Sequence, residues 1–505
     1  MSETIAALGS RFSHDAVAPL RWRGAWLSID SNERALAWSS TTTGIVVLHA
    51  LFLGALAMTG QMSAQALALV AMTLAALAVA PACRWPILSV AGIAFFAMRP
   101  FRISEQGDFA DRLRAATPAL EAIPSAAYAA AMAMATLAAI FLALRFQRAR
   151  PASYFSRRPT LCLIVTFFAA IGVAHFLPAA TLPHTLLWTL IAMLGASFFS
   201  VAYLFSDERA RSTMAQPVRL GFVRPFWGGW SIPHKSPAYL ARFEARDPIA
   251  LGRSRLKALK LVVWALILHG VHAIGAFVFH VELDVPTLRE ALAQHAQARA
   301  DAGGERLAPS VAMSWAALVT SFVLDLMRLA VIVHVYVAVI RMAGFAIPRG
   351  MARPLSARSI AEFWNRYLFY FKEVLVDFFF YPAFARYFKN HPRLRVAFAT
   401  FCAAFVGNIL FSLIWNGYSF GAIGPVATLS MFQTYVFYAA LLTAGLIVSQ
   451  LIARKPKPDD GFWRYDVLPR ARVIGFFCLC SIFADETGFL TIADRSAFVL
   501  HLAGL

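Results

Sequence analysis

Long apolar runs that recur between clusters of basic residues restrict the possible folds of this chain more than any other feature. Most of these runs are long enough to cross the hydrocarbon of a bilayer as a helix, which takes about 20 residues. A helix also satisfies its own backbone polar groups in lipid. With 59% hydrophobic and only 14% charged residues, the sequence predicts an all-α polytopic membrane protein, and one membrane bundle accounts for its whole length.

We predict a bundle of about eleven transmembrane helices from these runs. The predicted spans are 43–59, 64–82, 86–98, 125–144, 161–177, 185–205, 259–279, 311–341, 396–415, 426–452 and a last one that begins at Val473. When the spans are traced alternately, the strongly basic loops all fall on one side, as cytoplasmic loops do. These loops are 1–40, 145–159, 206–258, 341–358, 386–395 and 453–472. The pattern predicts a multi-pass protein with a cytoplasmic N-terminus.

The chain divides into a short N-terminal segment and one membrane domain. Residues 1–40 are predicted to be cytoplasmic or interfacial, because their first apolar run comes too late for a signal peptide. Residues 41–505 form the membrane domain. Within it, 206–258 is rich in Pro, Gly and aromatic residues and is predicted to be an ordered cytoplasmic interfacial segment. Residues 281–308 are predicted to leave the outer face of the membrane, with a helix at 286–302.

The formal charge of +19 predicts contact with the anionic lipids of the inner leaflet rather than with nucleic acid. The positive residues cluster between spans, and no nucleic-acid-binding motif is present. The five cysteines show no metal-binding spacing and no disulfide framework, so neither a metal site nor a disulfide is expected.

One stretch, 341–382, is neither a clean span nor an ordinary loop. Its first half is basic and interrupted by glycine and proline, which places it at a membrane face. Its second half surrounds three acidic residues with aromatic rings: Glu362, Glu373 and Asp377. Charges among so many rings are costly unless they pair or face water. We therefore expect an interfacial or re-entrant helix with paired carboxylates; an ordinary amphipathic surface helix is the alternative.

Ionisable residues also lie inside predicted spans. Asp325 and Arg328 are three residues apart in the span 311–341 and are predicted to pair. His334 lies in the same span. His269 and His272 lie one turn apart in another span, and a hydrogen-bonded pair fits them better than a metal site with only two ligands.

Two sets of residues in the second half of the chain form a pattern seen elsewhere. The first set is Gly344, Phe345, Pro348, Arg353, Pro354, Ser359, Ile360, Glu362, Phe363, Trp364, Arg366, Asp377 and 378–382. The second is the sequence IFADETGFLTIADRSAFVLHL near the C-terminus. They resemble the central signature and the closing segment of the membrane-bound O-acyltransferase family, in its bacterial members that acylate polysaccharides or cell walls. The resemblance covers about Met327 to the C-terminus.

Both family histidines are replaced in this chain. The family carries its catalytic histidine within a Trp-His-Gly motif, and the matching tripeptide here is Trp415-Asn416-Gly417. An alternative register, anchored on Asn408, aligns the catalytic histidine of the family with Ser412. The second family histidine aligns with Leu368. An asparagine amide can bind a carbonyl group but cannot act as a general base near neutral pH.

The resemblance implies an O-acyltransferase of the bacterial inner membrane. The acyl group would come from a cytoplasmic-side thioester, carried by an acyl carrier protein or by acyl-CoA, with no bound cofactor or metal. It would pass through a tunnel to a hydroxyl of an extracytoplasmic polysaccharide, cell-wall polymer or lipid, and a periplasmic transferase is a possible partner. The candidate catalytic residues are His334, Asn416 and Asp377, with His269 and His272 as further bases. The candidate substrate-binding residues are Trp364, Asn365, Arg366, Asn408, Ser412 and Trp415.

Two other functions fit the same sequence. A chain with the family fold and without its histidines could bind lipid or acyl groups, or act as a scaffold, without catalysis. A transporter is the second alternative, and it draws on Asp325, Arg328 and His334 together with the segments broken by Gly and Pro.

Overall fold

The structure is a computed structural model that describes residues 25–227, 232–301, 308–451 and 461–505. Helices make up the fold, and the described residues contain no β-strand. This confirms the all-α prediction. Most of the predicted N-terminal segment 1–40, and parts of the loops 206–258, 281–308 and 453–472, lie outside the described residues.

Eleven helices correspond to the eleven predicted spans. They are α1 Thr42–Met58, α2 Ala64–Val79, α3 Pro81–Met98, α4 Ser125–Ala149, α5 Pro159–Phe176, α6 Leu182–Arg209, α7 Pro248–Glu282, α8 Val311–Met342, α9 Pro392–Trp415, α10 Gln433–Leu451 and α11 Leu468–Ser481. Among the described residues, the eight helices α3–α10 are long and apolar enough to cross a membrane. Helix α1 forms a pair with Glu33–Ser39, bent by 92°, that would make a ninth span. Helices α2 and α11 have only 16 and 14 residues, so a polytopic protein is confirmed and the number eleven stays a prediction.

Side-chain caps set the starts of several of these helices. The side chains of Thr41, Ser63, Asp247 and Ser310 each accept a hydrogen bond from a backbone N–H in the first turn of the helix that follows. Helices α5 and α9 have a proline in the first turn in place of a side-chain cap, and α7 has both. Proline is tolerated there because the N–H that it lacks would have no partner within the helix.

Shorter elements connect the long helices. They are Ala25–Ser31, Glu33–Ser39, Ser104–Ala115, Pro118–Glu121, Tyr154–Arg157, Gln216–Leu220, Pro237–Ala241, Leu288–Ala300, Pro354–Ser356, Ile360–Tyr367, Phe369–Leu375, Val376–Phe380, Tyr381–Arg386, Ser419–Ala422, Pro425–Met431, Trp463–Val467 and Ile492–Leu502. The helix Leu288–Ala300 lies within the predicted 286–302 and begins with a capping box between Thr287 and Glu290.

The stretch 341–382 is folded as a chain of short helices rather than as one span. Two basic loops meet at its start, because the N–H of Ala346 donates to the carbonyl of Phe243 and the N–H of Ala245 donates to that of Gly344. Phe345 is fully buried at this junction. The segment that follows therefore rests on an ordered base.

Helix α6 occupies the centre of the bundle. Its most apolar window is 78% buried, the largest share among the eight candidate spans. It approaches α9 closely at Gly195, where an added Cβ would lie 2.5 Å from the carbonyl oxygen of Ile414. A larger residue at this position would push α6 away from α9, the helix that carries the site described next.

Candidate functional site

Three polar residues line one face at the C-terminal end of α9, the last of them as the residue that caps the helix. Asn408, Ser412 and Asn416 follow one another at intervals of four, so their side chains line up along the helix. Asn408 and Ser412 are 1% and 2% exposed. Just before them, α9 contains a π-helical turn at Cys402–Gly407, a feature found mostly as single turns and often near functional sites.

The carboxylate of Glu486 meets this polar face. Its Oε1 accepts a hydrogen bond from Oγ of Ser412 at 2.6 Å, and its Oε2 accepts one from Nδ2 of Asn416 at 3.0 Å. The Asn416 amide also donates to the carbonyl of Ser412 at 3.1 Å. The two residues that the resemblance aligns, in its two registers, with the family histidine thus hold the same carboxylate.

The loop that carries Glu486 is fixed on both sides. Asp485 pairs with Arg495 at 2.6 Å, and that arginine side chain is 4% exposed. The hydroxyl of Thr434 in α10 donates to the carbonyl of Asp485 at 2.9 Å. These contacts hold the backbone next to Glu486, so its carboxylate stays oriented towards α9.

Burial changes the acidity of Glu486. Burial raises the pKa of its carboxyl above the usual value, and the hydrogen bonds from Ser412 and Asn416 oppose this rise only in part. A carboxyl with a raised pKa is better matched to proton transfer near neutral pH than an ordinary glutamate.

Asn408 extends the site towards α10. Its Oδ1 accepts a hydrogen bond from the hydroxyl of Tyr435 at 2.9 Å, while its buried Nδ2 has no partner among the described residues. A buried amide donor without a partner is rare in folded proteins and is available to a carbonyl or hydroxyl oxygen of a ligand.

Trp415 contributes through its backbone. Its carbonyl oxygen accepts a hydrogen bond from Nε2 of Gln106 at 3.3 Å, and Gln106 is fully buried. This bond ties the end of α9 to the helix Ser104–Ala115.

Asp377 belongs to a different cluster. Its Oδ2 lies 3.0 Å from Nζ of Lys235 and accepts a hydrogen bond from the hydroxyl of Tyr203 at 2.8 Å. Lys235 also lies 2.5 Å from Glu373, which pairs with Lys372 at 2.7 Å. Burial lowers the pKa of Lys235, but the carboxylates of Glu373 and Asp377 outweigh it and raise this pKa overall, so the lysine stays charged.

The carboxylates predicted to pair in the stretch 341–382 do so. Glu362 pairs with Arg366, and Glu373 and Asp377 pair as described above. Arg366 also donates to Oγ of Ser356 at 2.6 Å, and the neighbouring Asn365 is exposed. Arg366 is therefore held by its own segment rather than by the Glu486 site.

Aromatic rings connect the helix Ile360–Tyr367 (the signature helix) to that site. Trp364 contacts Phe371, with ring centroids 6.2 Å apart. Phe371 lies edge-on to Phe411 at 4.9 Å, and Phe411 stacks on Phe199 at 5.1 Å. Phe411 immediately precedes Ser412, so this row of rings runs from the signature helix to the polar face of α9.

The predicted histidine base lies elsewhere. Nδ1 of His334 is 2.5 Å from the carbonyl oxygen of Ala330, one turn earlier in α8. No hydrogen bond or ion pair among the described residues joins His334 or Asp377 to Asn416. The roles proposed for these two residues stay predictions.

Neither of the two best-defined cavities of the described residues corresponds to the predicted tunnel. These have volumes of about 10 and 20 Å³, enough for one water molecule each. Both lie around Ile232 and His234, and neither is lined by Asn416.

Glu486 is the functional candidate that the sequence reasoning missed. The signal was present, since an acidic pair stands directly after an apolar run in a segment that resembles the end of the family. Compared with known proteins, the sequence matches no protein-family model and no curated protein.

Proposed function

We propose that the chain is an O-acyltransferase of a bacterial inner membrane in which Glu486 acts as the general base in place of a histidine. The observation that supports this proposal is the contact of Glu486 with both Ser412 and Asn416. These are the positions that the two registers of the family resemblance align with the catalytic histidine. A carboxyl whose pKa is raised by burial supplies the proton acceptor that asparagine lacks.

The proposed reaction moves an acyl group from a thioester to a hydroxyl. The Glu486 carboxylate takes the hydroxyl proton while the acceptor oxygen bonds to the carbonyl carbon and the carbon–sulfur bond breaks. The departing thiolate then takes the proton from Glu486. The Nδ2 amide of Asn408, which has no partner among the described residues, would hold the acyl carbonyl oxygen by hydrogen bonding.

In this proposal the thioester arrives from the cytoplasmic side, on an acyl carrier protein or as acyl-CoA. The acceptor is a hydroxyl of an extracytoplasmic polysaccharide, cell-wall polymer or lipid. The N-terminus would lie in the cytoplasm, as the basic loops predict.

A non-catalytic relative of such enzymes is the second candidate. The row of rings from Trp364 to Phe199 and the water-sized cavities favour it. A protein whose acyl passage is filled by side chains would bind lipid or a partner protein instead.

The test is an acyl-transfer and thioester-hydrolysis assay on the purified protein in detergent or liposomes. We expect Glu486→Gln to lower the rate about 10²–10⁴-fold, as loss of a general base does. The exposed Glu121→Gln serves as the matched control and should keep the wild-type rate.

His334→Ala separates the two candidate bases in the same assay. Loss of activity with His334→Ala and its retention with Glu486→Gln would overturn the role of Glu486. No activity of the wild type with any acyl-CoA or acyl carrier thioester would favour the non-catalytic candidate.

A further inference from the structure

A buried arginine near the start of α7 has no partner for its charge. Arg255 is 4% exposed. It makes no hydrogen bond and no ion pair with any described residue, and its Nε is completely enclosed. Its Nη1 and Nη2 are not enclosed in this way, so a ligand can reach them from the surface. Because a guanidinium stays protonated near neutral pH, one positive charge is left uncompensated.

The charged residues around Arg255 do not compensate it. The charge that acts on it most strongly is that of Arg84 at the start of α3, which is also positive. Nη1 of Arg84 already donates to Oε1 of Glu244 at 3.0 Å, and Oε2 of the same carboxylate accepts a hydrogen bond from the neighbouring indole at 3.3 Å. Asp247, the acid closest in sequence, caps the first turn of α7 through its Oδ1. A buried charge without a partner is strongly destabilising, so the compensating negative charge comes from a bound group.

The helices around Arg255 all begin at the predicted cytoplasmic face. His49 of α1 is an electrostatic neighbour of Arg255, and each of the two lies seven residues after the first residue of its helix. Seven residues correspond to about 10 Å along a helix axis. Arg84 lies three residues after the start of α3. Since each headgroup layer of a bilayer is about 5–8 Å thick, these side chains lie where headgroups meet hydrocarbon.

The surface beside these residues suits a phospholipid. The helix Glu33–Ser39 meets α1 at 92°, as expected for a helix that lies along the membrane surface. Oγ of Ser40, at this corner, donates to the carbonyl of Pro248 at 3.3 Å and joins the corner to the start of α7. Trp38 is 41% exposed, and tryptophan is enriched at headgroup level. Val46, three residues before His49 in α1, is 62% exposed and offers an apolar surface to acyl chains.

We propose that Arg255 binds the phosphate group of an anionic phospholipid of the inner leaflet, with Nη1–H and Nη2–H as the donors. A guanidinium can donate two parallel hydrogen bonds to a phosphate. An anionic headgroup brings the net negative charge that the site lacks, and such lipids are found in the cytoplasmic leaflet. A soluble phosphate has the same chemistry, but the depth of Arg255 and the apolar surface at Val46 favour the lipid. Such a site would bind lipid whether or not Glu486 transfers acyl groups.

Native mass spectrometry of the full-length protein tests the site. The protein is depleted of lipid in dodecyl maltoside, which carries no phosphate, and is titrated with phosphatidylglycerol. Arg255→Gln should weaken the tightest binding event about 10–100-fold, as expected for loss of a hydrogen bond to a charged group. Arg253→Gln is the matched control, because Arg253 is an exposed arginine of the same helix, and it should keep the wild-type affinity. Diacylglycerol, which has the acyl chains without the phosphate, should bind equally weakly to the wild type and to Arg255→Gln.

Two results of this titration would overturn the proposal. One is an equal affinity of the wild type and Arg255→Gln for phosphatidylglycerol. The other is a wild type that binds inorganic phosphate at Arg255 and no phosphatidylglycerol, which would make the ligand a soluble phosphate.

Electron cryo-microscopy of the wild type gives an independent measurement if the glutamine variant fails to fold. In nanodiscs that contain phosphatidylglycerol, headgroup density should lie beside Arg255, with phosphate oxygens about 2.7–2.9 Å from Nη1 and Nη2. Density that fits water alone, or another side chain of the protein, at this position would exclude the lipid site.

Discussion

The ring of Phe379 lies directly against the backbone of Gly407. A Cβ atom added to this glycine would lie 2.7 Å from Cδ2 and 2.9 Å from Cγ of the ring. The contact joins two π-helical turns, Val376–Phe380 and Cys402–Gly407. It connects the segment that carries Asp377 to the helix that carries the Glu486 site, so the packing of one supports the geometry of the other.

The first prediction concerns this contact. Gly407→Ala should lower the free energy of unfolding by about 1–3 kcal/mol, because a well-packed interior does not accept an extra methyl group. Gly270→Ala is the control, since a Cβ there meets nothing within 4 Å, and alanine should stabilise that helix by about 0.5–1 kcal/mol. Unfolding in detergent measures both. Phe379→Leu combined with Gly407→Ala should recover part of the loss, and equal effects of the two glycine substitutions would contradict the close contact.

The second prediction uses the pKa of Glu486. Because burial raises it, the folded protein binds this proton more tightly than the unfolded chain, and stability from this group falls as pH rises through the folded-state pKa. Because glutamine does not titrate, Glu486→Gln does not lose this stability as the pH rises. The variant should therefore be more stable than the wild type at pH 7–8, and the difference should disappear towards pH 4. Melting temperatures between pH 4 and 8 measure this. Glu121→Gln should follow the wild-type curve. The prediction would be contradicted if the melting temperature of Glu486→Gln, measured relative to that of the wild type, were lower at pH 8 than at pH 4.

The sequence predicted the parts of the site that depend on local spacing. The two family registers select Asn408, Ser412 and Asn416, and their interval of four residues brings them to one face at the C-terminal end of α9. Glu486 comes from 70 residues after Asn416, and no local pattern indicates which loop will return to that helix. The same limit applies to Lys235, which reaches Glu373 and Asp377 across more than 130 residues of chain.

The type and approximate bounds of the long helices are predictable because apolar length alone decides both. The Gly and Pro residues after Arg341 predict a broken stretch, but they do not predict its division into short helices. That division depends on tertiary contacts such as the backbone pairing of Ala346 with Phe243.

The third prediction concerns the cluster around Lys235. Lys235→Met leaves Asp377 without its cation and Glu373 with Lys372 alone, so the free energy of unfolding should fall by about 3 kcal/mol, at the low end for a broken buried ion pair. Lys235→Met combined with Asp377→Asn should be more stable than the single variant, because the uncompensated charge is then removed. Chemical or thermal unfolding measures both. If Asp377 were instead a catalytic base, Asp377→Asn would abolish acyl transfer without changing stability.

The last prediction concerns the ion pair of α8. Arg328 Nη2 lies 3.2 Å from Asp325 Oδ1, as the sequence predicted, and the two side chains are 64% and 69% exposed. Both lie near the middle of the 32-residue helix, where charges are stable only if they meet water or a polar partner. In a variant without native cysteines, Asp325→Cys should therefore react with a small membrane-impermeant thiol reagent. Ile274→Cys is the matched control, since Ile274 is an apolar residue of α7 with 66% exposure, and it should stay unreactive in lipid.

The contradicting outcome is protection of Asp325→Cys in liposomes together with labelling in detergent. It would mean that lipid or another membrane protein, and not water, covers the pair. This outcome would remove the main support for a transport pathway along α8.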